Sequence, residues 1–202
     1  MTGRTLAIWA TMLSVAWGGV VVGDAMLVSP AWSSRGAASA HMIFFMAATL
    51  LTLVGGIVGV LSIRSANARA LPLLGVCIAL GVSGVYAGNA VRMAGFRRCG
   101  ERLRPTVTAI RDYESRHGYP PAHLADAGLP AEVQSGLGAY PLVVYEVEPP
   151  DRPIFGNRWM LKVETFSGSS WDQFILLPNG HYPEAGFGGA IERLGEWAYV
   201  HE

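Results

Sequence analysis

The chain has 202 residues with 15 acidic and 15 basic side chains, so its formal net charge is zero. Basic charge is carried by arginine with a single lysine, Lys162, and no basic face with interleaved aromatics is evident, which predicts no nucleic-acid partner. The acids are unevenly distributed: residues 1–96 contain only Asp24, whereas residues 97–202 contain the other 14. This asymmetry predicts a membrane domain over 1–96 and a soluble domain over 97–202.

Three apolar runs fill the first domain, at about residues 6–28, 40–63 and 71–91. A transmembrane helix needs about 20 mostly apolar residues, and each run reaches that length. The first run has an alternative interpretation as a signal peptide that begins at Arg4. However, it is longer than the usual apolar segment of about 7–15 residues, and no convincing small-x-small cleavage site follows it. The sequence therefore predicts three retained transmembrane helices in a multi-pass protein of the bacterial inner membrane.

Each run carries two glycines four residues apart: Gly19 and Gly23, Gly55 and Gly59, and Gly84 and Gly88. Residues at this spacing share a helix face, and glycines there let another helix backbone approach closely. We expect these faces to pack the helices within the chain, with homo-oligomerisation through one of them as the alternative. Asp24, near the end of the first run, is expected at the membrane interface, because a helix of this length already reaches the headgroups there. A transport pathway would need paired charges at mid-membrane, and none is evident in the sequence.

Helical spacing continues after the third run, but the composition becomes polar. Leu103, Val107 and Ile110 form one apolar stripe. Pro105 predicts either a kink or the first turn of a new helix, and Gly118 fits the left-handed position just past a helix end. We therefore expect an amphipathic helix that ends near residue 117 and packs on a downstream element.

The pattern then changes to the two-residue alternation of strands, in residues 140–148, 158–166 and 171–178, with a last candidate in 196–202. Asn179-Gly180 is a strong signal for a two-residue hairpin. One amphipathic helix laid across an antiparallel meander would bury both apolar faces. The predicted fold class is therefore membrane α-helical plus α+β.

One short motif carries a family resemblance. The segment AIRDYESRHGYPPAHLADAGL (109–129) resembles type IV pilins and type II secretion pseudopilins at six positions: Ala109, Tyr113, Gly118, Tyr119, Pro120 and Leu124. The segment DQFILLPNG (172–180) is similar to the strand and turn of the same group. The resemblance covers residues 92–180 and implies a long helix packed on a small antiparallel sheet. Those proteins have one apolar helix after a short leader, whereas three spans are predicted here, so the resemblance implies a fold rather than filament assembly.

Catalytic, cofactor and metal sites are not predicted. His117 and His123 flank a Tyr-Pro-Pro turn, and that spacing is not typical of zinc ligands. The aromatic residues are more numerous than a small core can bury, and they predict a partner surface at Tyr145, Trp159, Trp171 and Trp197. The leading hypothesis is a non-enzymatic structural or protein-interaction module at the cell envelope. The alternative is a ligand-binding domain that signals through the transmembrane helices, which an apolar pocket between residues 106–117 and the sheet would favour.

The side of the membrane is predicted from two opposing signals. Arg97, Arg98, Arg102 and Arg104 follow the third run, and the positive-inside rule favours the cytoplasm for such a cluster. The pilin resemblance implies an external domain. We expect the soluble domain to lie on the periplasmic side.

Overall fold

A computed structural model describes residues 3–27, 35–64, 71–130, 133, 143–148, 153–163, 172–183 and 189–201. The chain divides into two compact units. The first comprises helices α1 (Gly3–Leu27) and α2 (Arg35–Arg64) with helix α3 (Leu71–His117) as far as Arg92. The second comprises α3 from Met93 onward and five strands.

All three helices are long and apolar enough to cross a membrane, as predicted. The most apolar windows of α1, α2 and α3 have mean hydropathies of 1.8, 2.3 and 1.8. Large apolar side chains such as Ile43, Met46, Leu50 and Val85 are exposed on them, which is the pattern expected of helices that face lipid. Between the helices lies a small core of Leu13, Trp17, Val20, Ala48, Leu73 and Cys77.

Helix α3 runs for 47 residues and includes Pro105 in its interior. Pro105 therefore does not begin a new helix, and the alternative of a fresh first turn is wrong. The helix ends where the sequence predicted. Gly118 has a φ of 79°, and its N–H donates to the carbonyl of Glu114 at 2.8 Å. A left-handed glycine of this kind satisfies a carbonyl that the last turn leaves free.

The second unit contains an antiparallel sheet of strands β1 (Val143–Val147), β2 (Trp159–Val163), β3 (Gln173–Leu176), β4 (Ala190–Leu194) and β5 (Trp197–His201). Their spatial order is β1-β2-β3-β5-β4. The four predicted strands therefore lie side by side in the predicted order as β1, β2, β3 and β5, and the sheet adds an edge strand that was not predicted, β4, on the other side of β5. The two-residue hairpin is Gly195-Glu196, with Leu194 paired to Trp197. Asn179-Gly180 forms a turn, with the Gly180 N–H donating to the Leu177 carbonyl at 2.9 Å, but it does not join neighbouring strands.

Both faces of the sheet carry buried residues. One face packs on the stripe of α3, and its core includes Phe96, Leu103, Val107, Ile110, Trp159, Leu161, Phe174 and Tyr199. The other face holds a smaller cluster of Met160, Ile175, Leu177, Ala198 and Val200. The alternation of Trp159 and Leu161 against Met160 thus sends side chains to opposite faces, as period two requires.

Candidate functional site

The six predicted packing glycines of the first unit each lie against a neighbouring helix. A side-chain carbon added at Gly19 or Gly23 of α1 would overlap Phe44 or His41 of α2. At Gly55 or Gly59 of α2 it would meet Cys77 or Leu74 of α3, and at Gly84 or Gly88 of α3 it would meet Trp17 or Asp24 of α1. Each helix thus turns its glycine pair to the next helix in a closed cycle. These faces are occupied within the chain, so an oligomer would need another surface.

Polar side chains from all three helices gather at one level of this unit. Asp24 of α1 and His41 of α2 are 4% and 7% exposed, and Asp24 Oδ1 lies 4.0 Å from His41 Nε2. Arg92 of α3 acts electrostatically on Asp24 and donates a hydrogen bond to Asn89 Oδ1 at 3.2 Å. We call Asp24, His41 and Arg92 the polar cluster. Asp24 is therefore buried between neighbouring helices, and its depth at the membrane interface stays a prediction.

The polar cluster is incompletely hydrogen-bonded. Within the described part of the chain, Asp24 Oδ1 and His41 Nδ1 have no hydrogen-bond partner. Buried ionisable groups within membrane helices are costly and commonly functional. His41 was not predicted from the sequence, although one signal was available. In consecutive antiparallel spans, a residue near the end of the first and one near the start of the second lie at the same depth.

Two of the four residues predicted to form a partner surface are buried. Trp159 and Trp197 are 0% and 4% exposed, because they lie on the sheet face that α3 covers. Tyr145 is half-buried, and its hydroxyl donates to the Pro121 carbonyl at 2.8 Å. Trp171 lies outside the described residues. The expectation at Trp159 and Trp197 is therefore corrected: these tryptophans stabilise the core and cannot reach a partner while the domain is folded.

An aromatic group at the end of α3 is accessible instead. The rings of Tyr113 and His117 stack with centroids 4.0 Å apart, and Tyr119 lies 6.1 Å from Tyr113 in an edge-on arrangement. Tyr119 is 56% exposed. Burial raises the pKa of Tyr113, and the neighbouring Tyr119 phenol raises it further, so this ring stays neutral at physiological pH. We call Tyr113, His117 and Tyr119 the aromatic tip.

The other residues of the predicted fold motif hold the aromatic tip in place. Arg158 Nη1 donates to the Gly118 carbonyl at 2.7 Å, which fixes the turn to the chain just before β2. Pro120 is buried, and Leu124 enters the core at the start of a short 3-10 helix (Leu124–Ala127). Asn179 organises a separate turn: its backbone N–H donates to Asn157 Oδ1 at 2.8 Å, and its side chain accepts from the His181 N–H at 2.8 Å. The Gly118-Tyr119-Pro120 segment thus presents Tyr119 on a well-anchored turn.

Metal-binding clusters are absent from the described residues, where no group of three or more His, Cys, Asp or Glu side chains could hold an ion. Cys77 and Cys99 are both free and buried. Burial raises the pKa of Cys99 to about 12, so its thiol is not a nucleophile at neutral pH. Ile110 is 0% exposed and packs into the core, whereas Val107, which is 2% exposed, also lines a small cavity between α3 and the β4–β5 hairpin.

Comparisons with known proteins give no relative: no family model, curated protein or solved structure significantly matches the chain. The functional argument therefore depends on the geometry described above.

Proposed function

We propose that this protein is a multi-pass protein of the bacterial inner membrane whose soluble helix-and-sheet domain is a non-enzymatic protein-interaction module. The observation that carries the proposal is the aromatic tip. Three rings, one of them more than half exposed, lie at a turn fixed by a hydrogen bond, while Trp159 and Trp197 are buried. Rigid, exposed tyrosines provide contact area at low entropic cost and are enriched in interfaces.

The pilin-like interpretation of the domain belongs to this proposal. It is supported by a helix that continues from an apolar segment into a sheet domain, and by the Gly118 stop that precedes Tyr119 and Pro120. In this interpretation the domain lies on the periplasmic side and the partner is an envelope protein.

Site-specific photocrosslinking in cells tests the interaction. A photoreactive phenylalanine analogue at position 119 should give one discrete crosslinked product, and Tyr113→Ala with His117→Ala should abolish it. The same analogue at Phe155, another exposed aromatic, is the control. Equal crosslinking from both positions, or none from position 119, would contradict the proposal.

Ligand sensing is the second candidate, and the continuity of α3 supports it. One helix contributes Arg92 to the polar cluster and Ile110 to the core of the sheet domain, so a rotation of α3 would act on both. Interrupting the helix with two glycines at Arg97 and Arg98 should uncouple the two units. If the sensing hypothesis is correct, the variant should be expressed at the level of the unmodified chain but lose the cellular response that depends on the protein.

A further inference from the structure

A small cavity in the soluble unit lies between α3 and the β4–β5 hairpin. Its volume is about 220 Å³, and its lining includes Arg97, Gly100, Glu101 and Arg104 of α3 with Glu196 and Trp197 of the hairpin. The volume is below the range of about 300–1,000 Å³ that is typical of drug-sized ligands. It is suited to a small polar group.

Gly100 brings an indole N–H to this cavity. A side-chain carbon at position 100 would lie 2.9 Å from Cδ1 and 3.1 Å from Nε1 of Trp197, so only glycine leaves room for the indole edge against the helix. Trp197 is 4% exposed, yet its N–H has no acceptor among the described residues. The N–H is accessible at the cavity, so a bound ligand with an anionic oxygen would give it an acceptor.

The charged residues on the same helix face are also unpaired. Arg97 and Arg104 precede and follow Gly100 by three and four residues, which places both beside the indole edge. Within the described part of the chain, neither guanidinium forms an ion pair, and neither does Glu101. Glu196 differs, because Arg111 Nη1 lies 3.1 Å from its Oε1. The free groups at the cavity are therefore two cations, one neutral donor and one carboxylate.

This set of groups matches a zwitterion. Arginine and indole N–H groups are suited to phosphate oxygens, and the Glu101 carboxylate is suited to an ammonium that can donate hydrogen bonds. We propose that the cavity binds a phosphate ester with a neighbouring primary ammonium, the chemistry of a phosphoethanolamine headgroup. The site is distinct from the aromatic tip and does not depend on the proposed function.

A membrane lipid is the source that the position along α3 favours. Arg97 follows Val91, the last residue of the predicted span, by six residues, which is about 9 Å of helical rise. The polar layer of a bilayer extends about 5–8 Å beyond each side of the hydrocarbon core, and an arginine side chain reaches back along a helix from its own position. A soluble phosphoethanolamine ester is the other source of the same chemistry.

Binding measurements on the full chain in a phosphate-free maltoside detergent test the site. Short-chain dihexanoyl phosphatidylethanolamine is titrated by microscale thermophoresis, with dihexanoyl phosphatidylglycerol as the lipid that lacks the ammonium. Arg97→Gln with Arg104→Gln should weaken binding of phosphatidylethanolamine at least about tenfold, the loss expected from one charge-assisted hydrogen bond. Arg98→Gln is the matched control, because Arg98 is exposed on α3 and does not line the cavity.

Glu101→Gln tests the ammonium contact. It should bring the affinities for the two lipids close together, whereas the unmodified chain should prefer phosphatidylethanolamine. An unchanged preference would overturn the assignment of Glu101. Equal losses in Arg98→Gln and the double variant, or no binding of either lipid or of soluble phosphoethanolamine, would overturn the site. Soluble phosphoethanolamine that binds as tightly as the lipid would support the site and place its ligand in the aqueous phase.

Discussion

The indole N–H of Trp159 donates to a carboxylate oxygen of Glu114 at 2.9 Å, which joins strand β2 to helix α3 through two side chains 45 residues apart. Trp159 is completely buried, so this hydrogen bond provides its N–H with a partner inside the core. The contact therefore fixes the rotation of α3 over the sheet in addition to the apolar packing.

Trp159→Phe should lower the free energy of unfolding by about 1–3 kcal/mol, because it leaves a space in the core and removes the donor to Glu114. Glu114→Gln should have a smaller effect, since the amide oxygen still accepts. Thermal unfolding of the full chain in detergent, followed by tryptophan fluorescence, measures both. Equal losses of unfolding free energy in the two variants would show that the hydrogen bond depends on the charge of Glu114 and not only on its position.

Alkaline pH should destabilise the soluble unit through its tyrosines. Burial raises the pKa of Tyr145 above its ordinary value of 10.0 and also raises that of Tyr182, whose hydroxyl donates to the Glu196 carbonyl at 2.8 Å. In the unfolded chain these phenols ionise near pH 10, whereas in the folded chain they hold their protons to higher pH. Their stabilising contribution is therefore fully present below pH 10 and is lost as the pH rises above it. Tyr145→Phe should flatten the alkaline limb of a stability profile, and an unaltered limb would contradict this.

Alanine at the packed glycines should destabilise the membrane unit, and neighbouring glycines provide controls. At Gly84 a side-chain carbon would overlap the Trp17 ring, whereas at Gly18 and Gly56 it would have no neighbour within 4 Å. We expect Gly84→Ala to cost about 1–3 kcal/mol through overpacking, and Gly18→Ala and Gly56→Ala to be close to neutral. Urea or SDS unfolding in micelles separates the two outcomes. Equal effects of the three substitutions on stability would indicate that they act through intrinsic helix propensity and not through packing between helices.

The polar cluster should behave as a unit. Asp24→Leu alone leaves the buried His41 and the half-buried Arg92 beside an apolar group, and His41→Leu alone leaves the buried Asp24 carboxylate without its imidazole neighbour on α2. Each should lower the melting temperature of the detergent-solubilised chain, and the double variant should recover part of the loss, because removing both partners avoids an uncompensated buried charge. Simple additivity of the two changes would show that the residues do not interact.

Thiol labelling gives the side of the membrane, provided that the right residue is labelled. Cys99 is buried with a pKa of about 12, so it should not react with a maleimide in the folded protein. Ser115→Cys on the exposed face of α3 should react. Labelling at position 115 by an impermeant reagent in intact cells is expected for a periplasmic domain, and protection until lysis would place the domain in the cytoplasm.

Local patterns predicted the local structure of this protein. The alternation from Trp159 to Val163 identifies a strand and its two faces, and Gly118 marks the end of α3 to the residue. Apolar length alone identifies the three helices. These features depend on neighbours within a few positions, which the sequence displays directly.

Features that depend on distant pairing were missed. Strand β4 alternates weakly because it lies at the sheet edge, and Glu192 and Arg193 obscure its period. The hairpin that pairs Leu194 with Trp197 was therefore not predicted, and the turn was expected at Asn179-Gly180 instead. The approach of His41 to Asp24 likewise requires the rotation of two helices. The burial of Trp159 and Trp197 required knowledge of which sheet face α3 covers.

The location of β5 in the interior of the sheet has a consequence for biosynthesis. Residues 197–201 are translated after the other four strands, yet they pair with β3 on one side and β4 on the other. Until they emerge, β3 presents an open edge and Phe174 lacks the Trp197 ring on which it stacks. A nascent chain that ends before residue 197 would therefore expose the unpaired edge of β3, which can pair with other chains. Quality-control proteases should recognise such truncated chains and remove them, although their membrane helices are complete.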